Sequence, residues 1–135
     1  MIAEDYISFE TAKLLKDKRF NEPCYAYWHE DENRLIISQS MYPIKNITNP
    51  CFFGPAAPTL QMAMKWLREV HKIYIQVVPL VPEYYEKDEY VYRFQYKRLK
   101  HIPIYDKMAY IDDTQYITYE KACDAAIKYC LENLI

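Results

Sequence analysis

The sequence contains a single glycine, Gly54. That count excludes a glycine-rich phosphate loop, a Gly-x-Ser-x-Gly nucleophile elbow and a flexible glycine linker. The four cysteines, Cys24, Cys51, Cys123 and Cys130, include no CxxC pair, and no histidine follows at zinc-finger spacing. None of the three histidines lies in an HExxH motif. An excess of one charge is missing too: 17 basic residues face 19 acidic ones, for a net charge of −2. A duplex-binding protein normally carries a basic surplus. No apolar run approaches the roughly 18 residues that span a bilayer, so no membrane partner is expected. The opening "MIAEDYISFE" has no basic stretch followed by an apolar one, which makes a secretory signal unexpected and a cytoplasmic location the default.

What the chain has in excess is tyrosine, with fifteen residues. Tyrosine pairs a large flat ring with a polar tip and suits half-buried sheet faces and interfaces. The length, 135 residues, is enough for one domain (1–135) with a proper core and no disulfide or metal staple. Cys123 and Cys130 are seven apart in a helical pattern, so about 10 Å separates them and they cannot bridge. All four thiols are expected to be buried and reduced.

Three segments have helical periodicity. "TYEKACDAAIKYCLENLI" starts at a capping Thr118. Tyr119, Ala122, Cys123, Ala126, Ile127, Cys130, Leu131 and Leu134 form its apolar stripe, and Glu120, Lys121, Asp124, Lys128 and Glu132 the wet face. "PTLQMAMKWLREVHK" places Pro58 in the first turn and a stripe on Leu60, Ala63, Met64, Leu67 and Val70. "SFETAKLLKDKRF" starts at Ser8, with Phe9, Ala12 and Leu15 on its narrower stripe. Strands are expected at 24–29 and 34–38, joined by the polar turn around Asp31, Glu32 and Asn33, then at 73–78, 90–99 and, briefly, 107–111. Residues 39–57 have no period and read as a long loop of the kind that often carries function. The expected fold is α+β, in the order α-β-β-α-β-β-(β)-α. One antiparallel sheet of four to five strands carries all three helices on one face.

"EYVYRFQYKRLK" decides which sheet face is the core. One register buries Tyr92, Phe94 and Tyr96; the other buries Arg93 and Lys97. Unpaired buried charge is costly, so the aromatic row is expected inside. The opposite face then presents Tyr25, Tyr27, Tyr74, Arg93 and Lys97, a candidate surface for a protein partner or for self-association. No catalytic residue, metal ligand or cofactor is assigned. "HEDE" (29–32) bunches a histidine with three carboxylates, but consecutive turn side chains point apart, and a solvated turn is expected there. Asp112 and Asp113 read as a polar connector. Two rival functions stay open. Arg93, Lys97, Arg98 and Lys100, with no acid from 90 to 100, suit a single-stranded nucleic acid stacked on tyrosine rings. Cys51 in the long loop would serve a small enzyme as nucleophile, though no neighbour marks a base for it.

"SFETAKLLKDKRFNEPCYAYW", "APTLQMAMKWLRE" and "DDTQYITYEKACDAAIKYCLENLI" together resemble, in order, three blocks of a family of short uncharacterised proteins from gut anaerobic bacteria and their phages and mobile elements. The resemblance implies a phage or mobile-element origin and supplies no catalytic residue. The final helix is loosely similar to that of HicB-type antitoxins. The chain lacks their proline-glycine-cysteine strand end, so their function is not carried over.

Overall fold

The computed structural model describes residues 2–38, 47–51, 53–80, 91–98, 109–110 and 114–135. Along the chain run α1 (Phe9–Asp17), β1 (Ala26–His29), β2 (Arg34–Ile37), α2 (Leu60–Val70), β3 (Ile73–Leu80), β4 (Val91–Arg98), β5 (Ala109–Tyr110) and α3 (Tyr119–Asn133). Each helix begins at a hydroxyl cap. Ser8 Oγ accepts from the Thr11 amide, Thr59 Oγ1 from Met62, and Thr118 Oγ1 from Lys121. Each cap satisfies one of the amides that a helix start leaves open. The cap of α2 is therefore Thr59, and Pro58 lies outside the helix rather than in its first turn. α1 stops early because Arg19 turns into the left-handed region at φ 65°.

The expected single sheet does not form. β1 and β2 make a two-stranded antiparallel hairpin, and β3, β4 and β5 make a separate three-stranded antiparallel sheet. The reason lies at the second edge of β1. Trp28 N donates to Pro55 O, Glu30 N to Phe53 O, and Ala57 N to Ala26 O, at 2.8–3.1 Å. Cys24 and Ile47 exchange both of their backbone bonds. The outgoing end of the long loop thus occupies the edge that β3 would have needed. The described residues 47–51 and 53–57 meet the hairpin through isolated bridges, Cys24 with Ile47 and Tyr27 with Ala56.

The helices also depart from the expected layer. α3 packs on β3 and β4, α2 packs on β3 and α3, and α1 packs on α3. On α3, Ala122, Cys123, Ala126, Ile127, Cys130 and Leu131 are all fully buried. Burying Ile127 and Leu131 alone stabilises by roughly 1.5–3 kcal/mol each. Two stripe positions were misplaced by periodicity: Val70 is 55% exposed and Tyr119 is 37% exposed, whereas Trp66 is buried. Trp66 is held by an edge-on contact with Phe20, ring centroids 5.3 Å apart.

Of the aromatic row of β4, Phe94 is buried while Tyr92 and Tyr96 are half-buried; on the other face Gln95 is buried too and Arg93 and Lys97 are half-buried. Ile75 lies opposite Tyr96 and Val77 opposite Phe94. Phe94 and Tyr96 both meet the ring of Tyr129 on α3, and Tyr92 meets Tyr119. Just past the end of α3, two carbonyls accept from cations: an Arg98 Nη donates to O of the C-cap Leu134 and Lys18 Nζ to Ile135 O. Cations favour this end of a helix.

Asp124 does not belong to the wet face of α3. Its carboxylate accepts from Ser8 N and Ser8 Oγ, both at 2.8 Å, and from Thr11 Oγ1 at 3.0 Å. It thereby ties the start of α1 to the middle of α3, with Thr11 fully buried beneath it. One helical turn on, Lys128 bonds Glu10 at 2.8 Å, which holds the Glu10 carboxyl below its ordinary value and raises Lys128. That pair is exposed and screened by salt. Replacing Asp124 by Ala is expected to lower unfolding free energy by about 2–3 kcal/mol, since hydrogen bonds to a charged group are lost and a buried hydroxyl is orphaned. Urea titration of Asp124→Ala, Ser8→Ala and the double variant checks it. The double variant should fall short of the sum of the singles by more than about 0.5 kcal/mol, because the two share one network.

Candidate functional site

Of the five residues expected on one open face, Tyr74, Arg93 and Lys97 lie on the three-stranded sheet, Tyr27 on β1 and Tyr25 just before β1. Tyr74 pairs directly with Lys97, and Arg93 projects from the same face of β3–β4. Tyr74 is 44% exposed. Gln76 and Gln95, also on this face, hydrogen-bond across the strands. Tyr25 and Tyr27 belong instead to the hairpin. No strand of the hairpin pairs with the three-stranded sheet among the described residues, so the five do not form one continuous sheet surface. Arg98, one of the four cations considered for nucleic acid, caps α3. Lys100, Asp112, Asp113 and residues 39–46 of the long loop lie outside the described residues.

The surface aromatic cluster is built around a residue that periodicity did not flag, Phe53. In β1 the side chains of Ala26 and Trp28 face the core, so Tyr27 and His29 face outward. Phe53 stacks on Tyr27, ring centroids 5.9 Å apart and planes 28° from parallel, and on His29 at 6.1 Å and 21°. Phe53 is 52% exposed and Tyr25 51%. Offset stacking of this kind adds roughly 0.5–1.5 kcal/mol per pair beyond the buried area. The turn beyond His29 is solvated as expected: Glu30, Asp31 and Glu32 are exposed, and Glu32 contacts Arg34 at 3.8 Å. Among the described residues no group of three or more His, Cys, Asp or Glu side chains could hold a metal ion.

Beside this cluster lies a pocket of about 480 Å³. Its floor is Tyr27 and Ile36, which pair directly across the hairpin. Ile47, Pro50 and Phe53 form its apolar walls, and Ser38, Thr48 and Cys51 supply its small polar atoms. Among the described residues no charged side chain lines it. The wall is fastened by Asn49, whose Nδ2 donates to Phe20 O at 2.8 Å while its Oδ1 accepts from Ala56 N at 3.0 Å. It is fastened again at Gly54. The φ there is 156°, and a β-carbon would collide with the Trp28 carbonyl oxygen. Only glycine lets the loop approach β1 closely enough for Phe53 to reach the Tyr27 ring. The chain's sole glycine was therefore the signal for this site.

Three of the four thiols are buried and unpaired with one another. Burial pushes Cys24 up to about 12, Cys123 to about 11 and Cys130 to about 12. Cys51 is only half-buried, at the pocket wall, and the described lining residues include no imidazole or carboxylate to act as its base. His71 caps α2 with its ring edge-on to Trp66 at 4.6 Å, and burial holds its pKa below the ordinary value.

No family model, no curated protein and no solved structure matches the chain. Among the described residues no helix is long and apolar enough to cross a membrane.

Two expectations follow. Gly54→Ala should destabilise by more than about 2 kcal/mol, since both the φ and the close approach forbid a β-carbon; urea midpoints check this. The thiols make stability depend on pH. Unfolded cysteines ionise near about 8.5, whereas the three buried ones resist ionisation until far higher pH. Their contribution is complete below the unfolded value and is lost as pH rises through the folded ones. Above about pH 9, unfolding free energy should fall by up to about 1.4 kcal/mol per thiol per pH unit. Cys130→Ala should show a shallower decline in urea titrations between pH 8 and pH 11.

Proposed function

We propose that the chain is a binding module without a reaction of its own, which docks on a protein partner through the aromatic outer face of the hairpin. The observation that carries this is the exposure of Tyr25 and Phe53, each more than half open, beside the stacked Tyr27. A cluster of large rings left in water favours a surface that covers it. Among the described lining residues none is a base that would activate Cys51, so nothing there supports nucleophilic catalysis. The resemblance to phage and mobile-element proteins suits a small docking module working in the cytoplasm. Single-stranded nucleic acid is the rival occupant, on the other sheet, where Tyr74, Arg93 and Lys97 share a face. It is the weaker reading because Arg98 is committed to α3 and the whole chain is slightly acidic.

The test compares wild type with Tyr25→Ser/Phe53→Ser in light scattering and in affinity capture. A second copy or a protein retained by wild type and lost from the variant is the expected result. Wild type that is monomeric and retains nothing more than the variant overturns the proposal. So does oligonucleotide binding that weakens with salt, is lost in Lys97→Ala and is untouched by the hairpin variant, because the site would then be the other sheet.

A further inference from the structure

The hairpin pocket goes further than the exposed rings, because its chemistry selects what it would take. Its volume of about 480 Å³ falls in the range of preformed ligand pockets. Its walls do not depend on a partner to take shape. Asn49 clamps one side to Phe20 and Ala56, and the backbone bonds of Phe53 and Pro55 to β1 set the other. A fixed pocket next to exposed rings is the arrangement in which an interface concentrates its energy, with one anchor side chain seated and neutral contacts excluding water around it.

The described lining favours an uncharged anchor. Among the described residues no Asp, Glu, Lys or Arg lines the pocket, so a carboxylate, ammonium or guanidinium placed there would lose hydration and find no counter-ion among them. Between uncharged anchors the rings decide. Tyr27 and Phe53 are already stacked with planes 28° apart, and a third ring laid on that stack gains attraction beyond the area it buries. The hydroxyls of Ser38 and Thr48 can meet the N–H or O–H that a tryptophan or tyrosine would bring. Taking the docking function proposed above as its basis, we propose that this pocket receives an uncharged aromatic side chain of the partner protein as the anchor of the interface.

Cys51 is a built-in reporter, as it stands in the pocket wall and is the one described thiol that is not buried. The experiment measures its alkylation by iodoacetamide in the full chain, with N-acetyl-tryptophanamide as probe and N-acetyl-lysinamide as control. The tryptophan probe should slow alkylation on the order of threefold or more at roughly 10 mM, an affinity reasonable for so small a ligand, and the lysine probe should not. Ile36→Trp, at a strand position that tolerates aromatics, should fill the pocket, slow alkylation by itself and abolish the probe effect. It should also lose whatever partner or second copy the wild type retains. Absence of protection by the tryptophan probe, or equal protection by the lysine probe, overturns the anchor in wild type, whatever the variant's folding. Probe protection together with undiminished docking by a folded Ile36→Trp overturns it as well, since the pocket would then be a small-molecule site apart from the interface. In each case, loss of docking in Tyr25→Ser/Phe53→Ser would leave the docking function standing, so the two failures are distinguishable.

Discussion

The other two helices and the β3–β4 sheet all meet on α3. The small side chains of Ala122, Cys123 and Ala126 let neighbouring elements approach closely, and Ile127, Cys130 and Leu131 fill the space that remains. The helix packs on α1, α2, β3 and β4 at once. Such a helix is set in direction as well as depth, and polar bonds provide the direction. Asp124 grips the start of α1, and Lys18 and Arg98 hold the carbonyls at the other end. A carboxylate half-withdrawn from water is tolerable here because hydroxyl and amide donors replace its hydration. Arg98 is thereby spent on structure, which is why the charge count along β4 overstates what is left for a ligand.

The hairpin is a separate unit with its own logic. Antiparallel strands form a sheet with whatever edge reaches them first in space, and β1 is reached by residues 53–57 rather than by β3. That capture has two consequences. It ends the sheet at two strands, and it brings Phe53 over Tyr27 and His29. The segment that prevents a continuous sheet is the same one that builds the aromatic cluster and the pocket wall. Gly54 makes both possible, because any side chain there would push the loop away from the Trp28 carbonyl.

Much was legible in local pattern. The caps at Ser8 and Thr118, the buried stripe of α3 and the burial of Phe94 all follow from periodicity and from the cost of desolvating charge. Tyr27 was placed on the outer face by simple alternation along β1. Three residues resisted that logic. Asp124 falls at a solvent-face position of its helix, and only the arrival of Ser8 and Thr11 from more than a hundred residues away gives it a partner. Val70 is in phase with a buried stripe yet is 55% exposed at the last position of α2. Phe53 lies in a segment with no period at all.

The amino-acid sequence alone determined the local elements: where helices start, which side of each strand is apolar, and that no phosphate loop or paired-cysteine metal site is present. Those properties depend on neighbours within a few residues, where backbone geometry imposes a period. Tertiary structure alone decided that the strands divide into two sheets, that Tyr25 and Tyr27 part company with Tyr74, Arg93 and Lys97, and that Phe53 and Cys51 join a pocket. Backbone hydrogen bonds at a strand edge are identical for every residue type, so side-chain pattern does not encode which segment will claim them.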